Sequence, residues 1–316
     1  MEWYTRYRHE LELVFAEAEK RISSFPAPLN TMGQEYAAQF NPLLEDSTRN
    51  YICYLLPFWV NEIADLQPDM IRRLSLGNVY IMLSFLLQDD VMDTGPDDWR
   101  SRLALAQLFL TESMDVYRAL FPPDSPIWDY YRLYVNEWAA SVAKEGRSDD
   151  FQENPSGISG KASPLKLAGT GVLLLSQQEH LLPAVTDMTD QALLILQMAD
   201  DWADWREDLN EGSYNCLLSF IGAEHGVGYR QGVYAEEMIE EAVYSRNVLN
   251  RYAASAAELA YTLSERRPII HGLASFAASV ADELAEAAAY IARERQLLLS
   301  GGLQYLLDHG GGPSSS

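Results

Sequence analysis

The chain is poor in cysteine, histidine and positive charge, and each shortage excludes something. Cys53 and Cys216 are two cysteines in 316 residues, too few for a disulfide framework, and a reducing compartment is the natural setting. The five histidines show no zinc-ligand spacing such as HExxH. Against 46 acidic residues stand only 23 Lys and Arg, a formal net charge of −23, which excludes the basic surface that a nucleic-acid partner needs. GxGxxG, P-loop and GxSxG patterns are missing, so the familiar dinucleotide, P-loop and nucleophile-elbow chemistries are not indicated. The N-terminal Met1-Glu2-Trp3-Tyr4-Thr5-Arg6-Tyr7-Arg8 lacks the apolar core of a signal peptide, and no uncharged apolar run is long enough to span a bilayer. The expectation is a cytoplasmic protein without stable membrane insertion. Strand-like alternation and solenoid-length repeats are also missing.

What the chain has is helical periodicity, punctuated by Pro and Gly. Glu2 to about Ser23 reads as an amphipathic helix, and Pro57 within Tyr51–Val60 marks a kink or a boundary. Pro68-Asp69 opens a helix that is almost wholly apolar from Val79 to Leu87, hence central, and Thr94-Gly95-Pro96 closes it. Asp97-Asp98 caps a helix to about Leu120, and Ile127 to Lys144 is another. Glu145 to Gly160 reads as a loop. Gly169-Thr170-Gly171 bends a helix or lets one pack closely. Pro183 to Asp208 is a long helix, and two more run from Ala235 to Leu263 and from Ile269 to Gln296. No composition shift divides the chain. The pattern predicts one all-α domain over residues 1–309, of ten to twelve helices, with 310–316 as a disordered tail.

Two acidic stripes end apolar helices. An α-helix turns about 100° per residue, so i, i+4 and i+8 share a face. Asp200, Asp204 and Asp208 form one such stripe, with Glu207 and Glu211 beside it; Asp89 and Asp93 form the other, with Asp90 adjacent. Carboxylates stacked this closely repel one another unless cations sit among them, and hard oxygen ligands suit Mg2+ or Mn2+. One such face is ordinarily just solvated. Two, each ending a buried helix, suggest two walls of one metal-lined cavity. Met82 and Phe85 precede Asp89 at the same helical phase, and Leu193 and Leu196 precede Asp200, so each face runs from apolar depth to carboxylate rim. That suits a ligand with a hydrocarbon tail and an anionic, metal-bound head.

These segments resemble a known family. Leu86-Leu87-Gln88-Asp89-Asp90-Val91-Met92-Asp93 is similar to the first aspartate-rich motif, DDxxD, of class I isoprenoid synthases. Leu196 through Asp204 resembles the second aspartate-rich motif of trans-prenyl diphosphate synthases, and Ile158 through Leu165 resembles their lysine-containing diphosphate segment. The stripe spacing is also that of the NSE triad of terpene cyclases. The resemblance covers about Pro68 to Asn215, with the motifs in the family's order. It implies a helical bundle of the isoprenoid synthase type around a central apolar cavity. It also implies three Mg2+, with Mn2+ as the alternative, held by Asp89, Asp90, Asp93, Asp200, Asp204 and Asp208. Lys161 becomes the diphosphate contact, with Lys166 one turn on as the alternative, and Tyr290, Arg293 and Arg295 as further contacts. Met82, Phe85 and Leu196 would meet the hydrocarbon, with Phe58 and Trp59 as further aromatic candidates. A homodimer is implied by the family alone.

The match departs where isopentenyl diphosphate would bind. No N-terminal Gly-Lys-Arg segment is present, and after Asp93 only the non-adjacent Arg100 and Arg102 occur. The expectation is therefore a class I terpene synthase that ionises and cyclises geranylgeranyl or farnesyl diphosphate. The alternatives are a prenyl diphosphate synthase elongating with isopentenyl diphosphate and a non-catalytic prenyl-binding partner protein.

Overall fold

In the computed structural model, which describes residues 2–144, 148–226 and 234–309, the chain is all-α, with no strand among the described residues. Eleven of the described α-helices run nine residues or more. The expected loop before Gly160 instead contains the short helices Asp150–Glu153 and Pro155–Ile158. The tail 310–316 lies outside the described residues.

Helix ends fall where Pro and Gly place them. Pro68 is the first residue of helix Pro68–Thr94, a position whose N–H has no helical partner anyway, and Gly95 closes the helix at φ 53°. Helices Trp99–Leu120 and Ile127–Lys144 follow. Leu182–Glu211 runs slightly beyond its expected span. The helix expected from Ala235 to Leu263 is broken. It consists of Glu236–Glu240, a π-helical turn Glu241–Ser245, and Val248–Glu265, with Asn247 left-handed at φ 61° in the gap. Asn tolerates that conformation better than other non-glycine residues, so the chain reverses there despite apolar periodicity on both sides.

The chain's contacts gather into two compact units, each built from three stretches. One comprises Met1–Ala143, Ser159–Asp190 and Ser264–Phe276; the other Lys144–Ile158, Gln191–Leu263 and Ala277 onward.

The first unit is built around helix Pro68–Thr94, against which helices Arg8–Ile22, Tyr51–Val60, Trp99–Leu120 and Lys166–Leu175 pack. Its residues Leu74, Leu76, Val79, Tyr80, Ile81, Met82 and Leu83 are all buried, so it has no wet face through its middle. Each large apolar side chain so buried contributes about 1.5–3 kcal/mol. By length and composition alone this helix could cross a membrane; most of it is covered by protein here. Its neighbour approaches closely at Gly77, where a Cβ would stand 2.9 Å from Tyr117 Cε2, and Ser113 Oγ donates to Gly77 O at 3.0 Å. Gly169 and Gly171 serve packing too: helix Lys166–Leu175 passes through them, and a Cβ on Gly171 would meet Leu74 Cδ2 at 2.7 Å.

Phe58 and Trp59 are core residues of this unit. Trp59 is fully buried and stacks on Phe276 at 5.3 Å, with Trp3 edge-on at 5.9 Å. Helix Tyr51–Val60 also absorbs Pro57 in its interior. Pro57 has no N–H, so the carbonyl of Cys53, four residues back, loses its helical donor. Asn78 supplies the replacement: its Nδ2 donates to Cys53 O at 2.6 Å, and Ser75 Oγ donates to Tyr54 O at 2.7 Å. Both donors are fully buried and come from helix Pro68–Thr94. A kink-inducing residue in one helix is thus answered by polar residues in the next.

This pairing is testable. Asn78→Ala strands a buried carbonyl and should cost about 1–3 kcal/mol in urea unfolding. In a Pro57→Ala background, where the main-chain donor returns, the same change should cost clearly less. Equal costs in both backgrounds would show that Asn78 does not compensate Pro57.

Candidate functional site

In the second unit, the end of helix Leu182–Glu211 carries Asp200, Asp204 and Asp208 on one face. At 1.5 Å of rise per residue the stripe is about 12 Å long. Asp200 keeps an exposed flank, but the protein packed around it, together with the Asp201 and Asp204 carboxylates, pushes its pKa up to about 6. Asp208 is half-buried and is also pushed up to about 6, by burial first and then by Asp201, Asp204 and Glu211; a hydrogen bond from Asn215 acts the other way. The stripe therefore crowds negative charge in a partly desolvated place. The nearest basic residue in sequence is turned elsewhere. Arg206 donates to Glu240 at 2.9 Å and lies over the Trp205 ring at 4.4 Å.

Behind the stripe lies a buried polar scaffold that sequence reasoning missed. Asp201 is 3 % exposed and accepts from Gln197 Nε2 at 2.6 Å and from the backbone N–H of Cys216. Asn215, fully buried, caps helix Cys216–Glu224 by accepting from Leu218 N at 3.1 Å. Tyr214 Oη donates to Asp149 Oδ1 at 2.9 Å and accepts from Phe151 N at 2.7 Å. Tyr252 Oη, also buried, donates to Met198 O at 3.1 Å. An Asn before the apolar run Cys216-Leu217-Leu218 is a capping signal that was there to read.

The first unit holds the other stripe. Asp89 is half-buried and Asp93 exposed at the end of helix Pro68–Thr94. Met82 is buried, and the Phe85 ring meets Trp138 edge-on at 4.7 Å. Asp90 carries its own partners: its Oδ2 accepts from Tyr36 Oη at 3.1 Å and lies 3.7 Å from Arg102 Nη1. One helical residue past Asp89 turns it about 100° away, toward those partners. Burial and the Asp90 carboxylate together hold the Tyr36 hydroxyl well above its ordinary range. Arg102 also bonds Asp98 at 2.8 Å, and Arg100 lies over the Trp99 ring at 4.5 Å.

Lys161, half-buried, sits in the 3-10 helix Ser159–Leu165. Lys166 is buried, with Nζ 2.8 Å from Glu137 Oε2 and 3.1 Å from Asp190 Oδ1, over the Tyr134 ring at 5.1 Å. Ser159 and Ser163 complete this cluster through Asp190 and Glu137. Two carboxylates thus already pair with Lys166.

The C-terminal candidates are in the second unit. Arg295 Nη1 donates to Ser245 O at 2.9 Å, and Arg293 lies 5.7 Å from the Tyr290 ring. Tyr290 lines a cleft of about 610 Å3 with Trp202, Tyr244, Glu283, Glu286 and Ile291. Leu196 is half-buried on the turn before Asp200.

Divalent cations fit the stripe chemically. The donors are hard oxygens, and two of them are pushed up to about 6, by burial first and by neighbouring carboxylates second. A line of carboxylates about 12 Å long cannot converge on one ion, and among the described residues no three His, Cys, Asp or Glu side chains form a single ligating cluster. The arrangement suits more than one cation, each reached by neighbouring carboxylates. No protein-family model matches the chain, and no curated protein sequence matches it either.

The raised values have a sign. Folded Asp200 and Asp208 bind protons more tightly than in the unfolded chain, where Asp titrates near ~3.9. Their contribution to stability is full below about pH 4 and is lost as the pH rises through about 6. In EDTA, melting curves of the wild type should fall from pH 4 to 7 more steeply than those of an Asp200→Asn/Asp208→Asn variant. Mg2+ should raise the melting temperature at pH 7.5 and not at pH 4.5. Parallel pH slopes in the two proteins would show that the stripe carboxylates titrate normally.

Proposed function

We propose that the chain is a class I isoprenoid synthase of the terpene synthase kind, ionising and cyclising a linear allylic prenyl diphosphate, geranylgeranyl or farnesyl diphosphate. The observation that carries this reading is the aspartate stripe Asp200, Asp204 and Asp208, whose crowded carboxylates are pushed up to about 6 at two of three positions. The stripe Asp89 and Asp93 repeats the arrangement on a second helix. The engagement of Arg102 with Asp98 and Asp90, and of Arg100 with Trp99, supports cyclisation over elongation, since neither is left as a dedicated contact for a second diphosphate.

Asp89, Asp93, Asp200, Asp204 and Asp208 would hold the divalent cations. Bound there, Mg2+ supplies Lewis acidity that helps the diphosphate leave. Lys161 adds a fixed positive charge for the same leaving group. A carbocation that met water would be quenched to an alcohol, so such a reaction needs an apolar lining, for which Met82 and Leu196 are the candidates that share a helical phase with Asp89 and Asp200. Phe85, its ring braced edge-on by Trp138, offers a π face to developing positive charge. Lys166, buried between Glu137 and Asp190, would act structurally, while Asp90 would share its Oδ2 with Tyr36 and Arg102.

Incubation with Mg2+ and a panel of allylic diphosphates, with and without isopentenyl diphosphate, followed by mass spectrometry of the organic extract, tests the reading. A hydrocarbon or alcohol should form from one allylic diphosphate alone. A longer diphosphate appearing only with isopentenyl diphosphate would replace cyclisation with elongation, and metal-dependent binding without turnover would favour a prenyl-binding protein. Asp89→Asn and Asp200→Asn should each lower turnover by about 100-fold or more while the protein stays folded. Phe85→Ala should alter the product pattern or the accepted chain length; an unchanged profile removes Phe85 from the site.

A further inference from the structure

We propose that Asn215 is a positioning residue that fixes how Asp208 presents itself to a cation; the proposal rests on reading the Asp200, Asp204 and Asp208 stripe as metal-holding. The chain leaves helix Leu182–Glu211 through Gly212 at φ 74°, with Ser213 N bonded back to Asp208 O at 2.9 Å. This reversal brings Asn215 beside the helical turns it has just left. Its Nδ2 donates to Asp208 Oδ2 at 2.7 Å and to Asp201 O at 2.8 Å, while its Oδ1 accepts from Leu218 N at 3.1 Å. The side chain is fully buried.

An amide has two N–H donors and one carbonyl oxygen. Here both donors and the oxygen are used, so the group cannot rotate or flip without breaking several bonds at once. Asp208 Oδ2 is therefore held by a fixed neutral donor, and Oδ1 is left to face a cation. The geometry points to one-oxygen coordination by Asp208, with the orientation of its carboxylate tied to the start of helix Cys216–Glu224. A neutral amide fits this position. A carboxylate there would add to the repulsion along the stripe, and a cationic side chain would compete with the metal. Outer groups that hold a ligating carboxylate in this way typically contribute 10–100-fold to metal affinity.

The test uses Asn215→Ser and Asn215→Thr. Both keep an oxygen able to cap helix Cys216–Glu224 and both are too short to reach Asp208. Mn2+ binding to the metal-free full chain is titrated by electron paramagnetic resonance, with circular dichroism melts to confirm folding and Asp208→Ala as the control. The folded variants should bind the Asp208-dependent Mn2+ about 10-fold or more weakly. In turnover they should need correspondingly more Mg2+ for half-activation and approach the wild-type kcat at saturating Mg2+, a split that a purely structural defect would not produce. Unchanged Mn2+ affinity in the folded variants, with loss in Asp208→Ala, overturns the role of Asn215 and leaves the stripe reading standing. Wild-type protein whose Mn2+ binding is absent, or indifferent to Asp208→Ala, overturns the stripe reading and this proposal with it.

Discussion

Mutual repulsion among carboxylates on one helical face is the constraint around which the second unit is arranged. Asp200, Asp204 and Asp208 would be more stable farther apart or beside cations, yet Arg206 turns to Glu240 and leaves the stripe without its nearest neighbour in charge. The fold holds the arrangement by burying neutral donors behind it. Asn215, Gln197 and the Cys216 amide all point at Asp201 or Asp208. Neutral donors orient a carboxylate without cancelling its charge, and that distinction separates a ligand set from an ordinary salt-bridge network.

The first unit shows the contrasting solution. Lys166 lies with Glu137 and Asp190, and Asp90 with Tyr36 and Arg102; in each the charge is met by an opposite charge. Burying Lys166 is tolerable only because its partners are complete. The same accounting governs neutral groups: the carbonyl orphaned by Pro57 is met by Asn78. Charge that is satisfied within the protein has nothing left for a ligand. This is why Lys166, which resemblance would recruit, is better read as part of the frame.

The sequence made local features legible and distant ones obscure. Pro68 and Gly95 bracket a helix because their effects act within a residue or two. The stripes were readable because 100° per residue is a property of any helix. The break at Asn247 was not, since apolar periodicity continues past it and a single left-handed residue decides the matter. Nor could the sequence show what Asp90 and Lys166 touch. The partners that commit Asp90 and Lys166 are Tyr36 and Asp190, 54 and 24 residues away, and only folding brings them near. Asn215 offered a capping signal, but its bond to Asp208 depends on the reversal at Gly212.

The two kinds of aspartate also bear on what the protein would do with its charge. A chain of net charge −23 repels a free diphosphate at long range, so affinity for one has to be made locally. On the proposed reading, carboxylates that are oriented but not neutralised would make it by recruiting divalent cations, whose charge would invert the sign of the site. A lysine or arginine cluster could bind the same anion directly, but it would hold the departing diphosphate as readily as the substrate. Recruited metal can be acquired and lost with each turnover, and a stripe whose protons leave near pH 6 is ready to recruit it at neutral pH. On the proposed reading the acidity of the chain is compatible with an anionic substrate, with the buried Asn215 amide orienting Asp208.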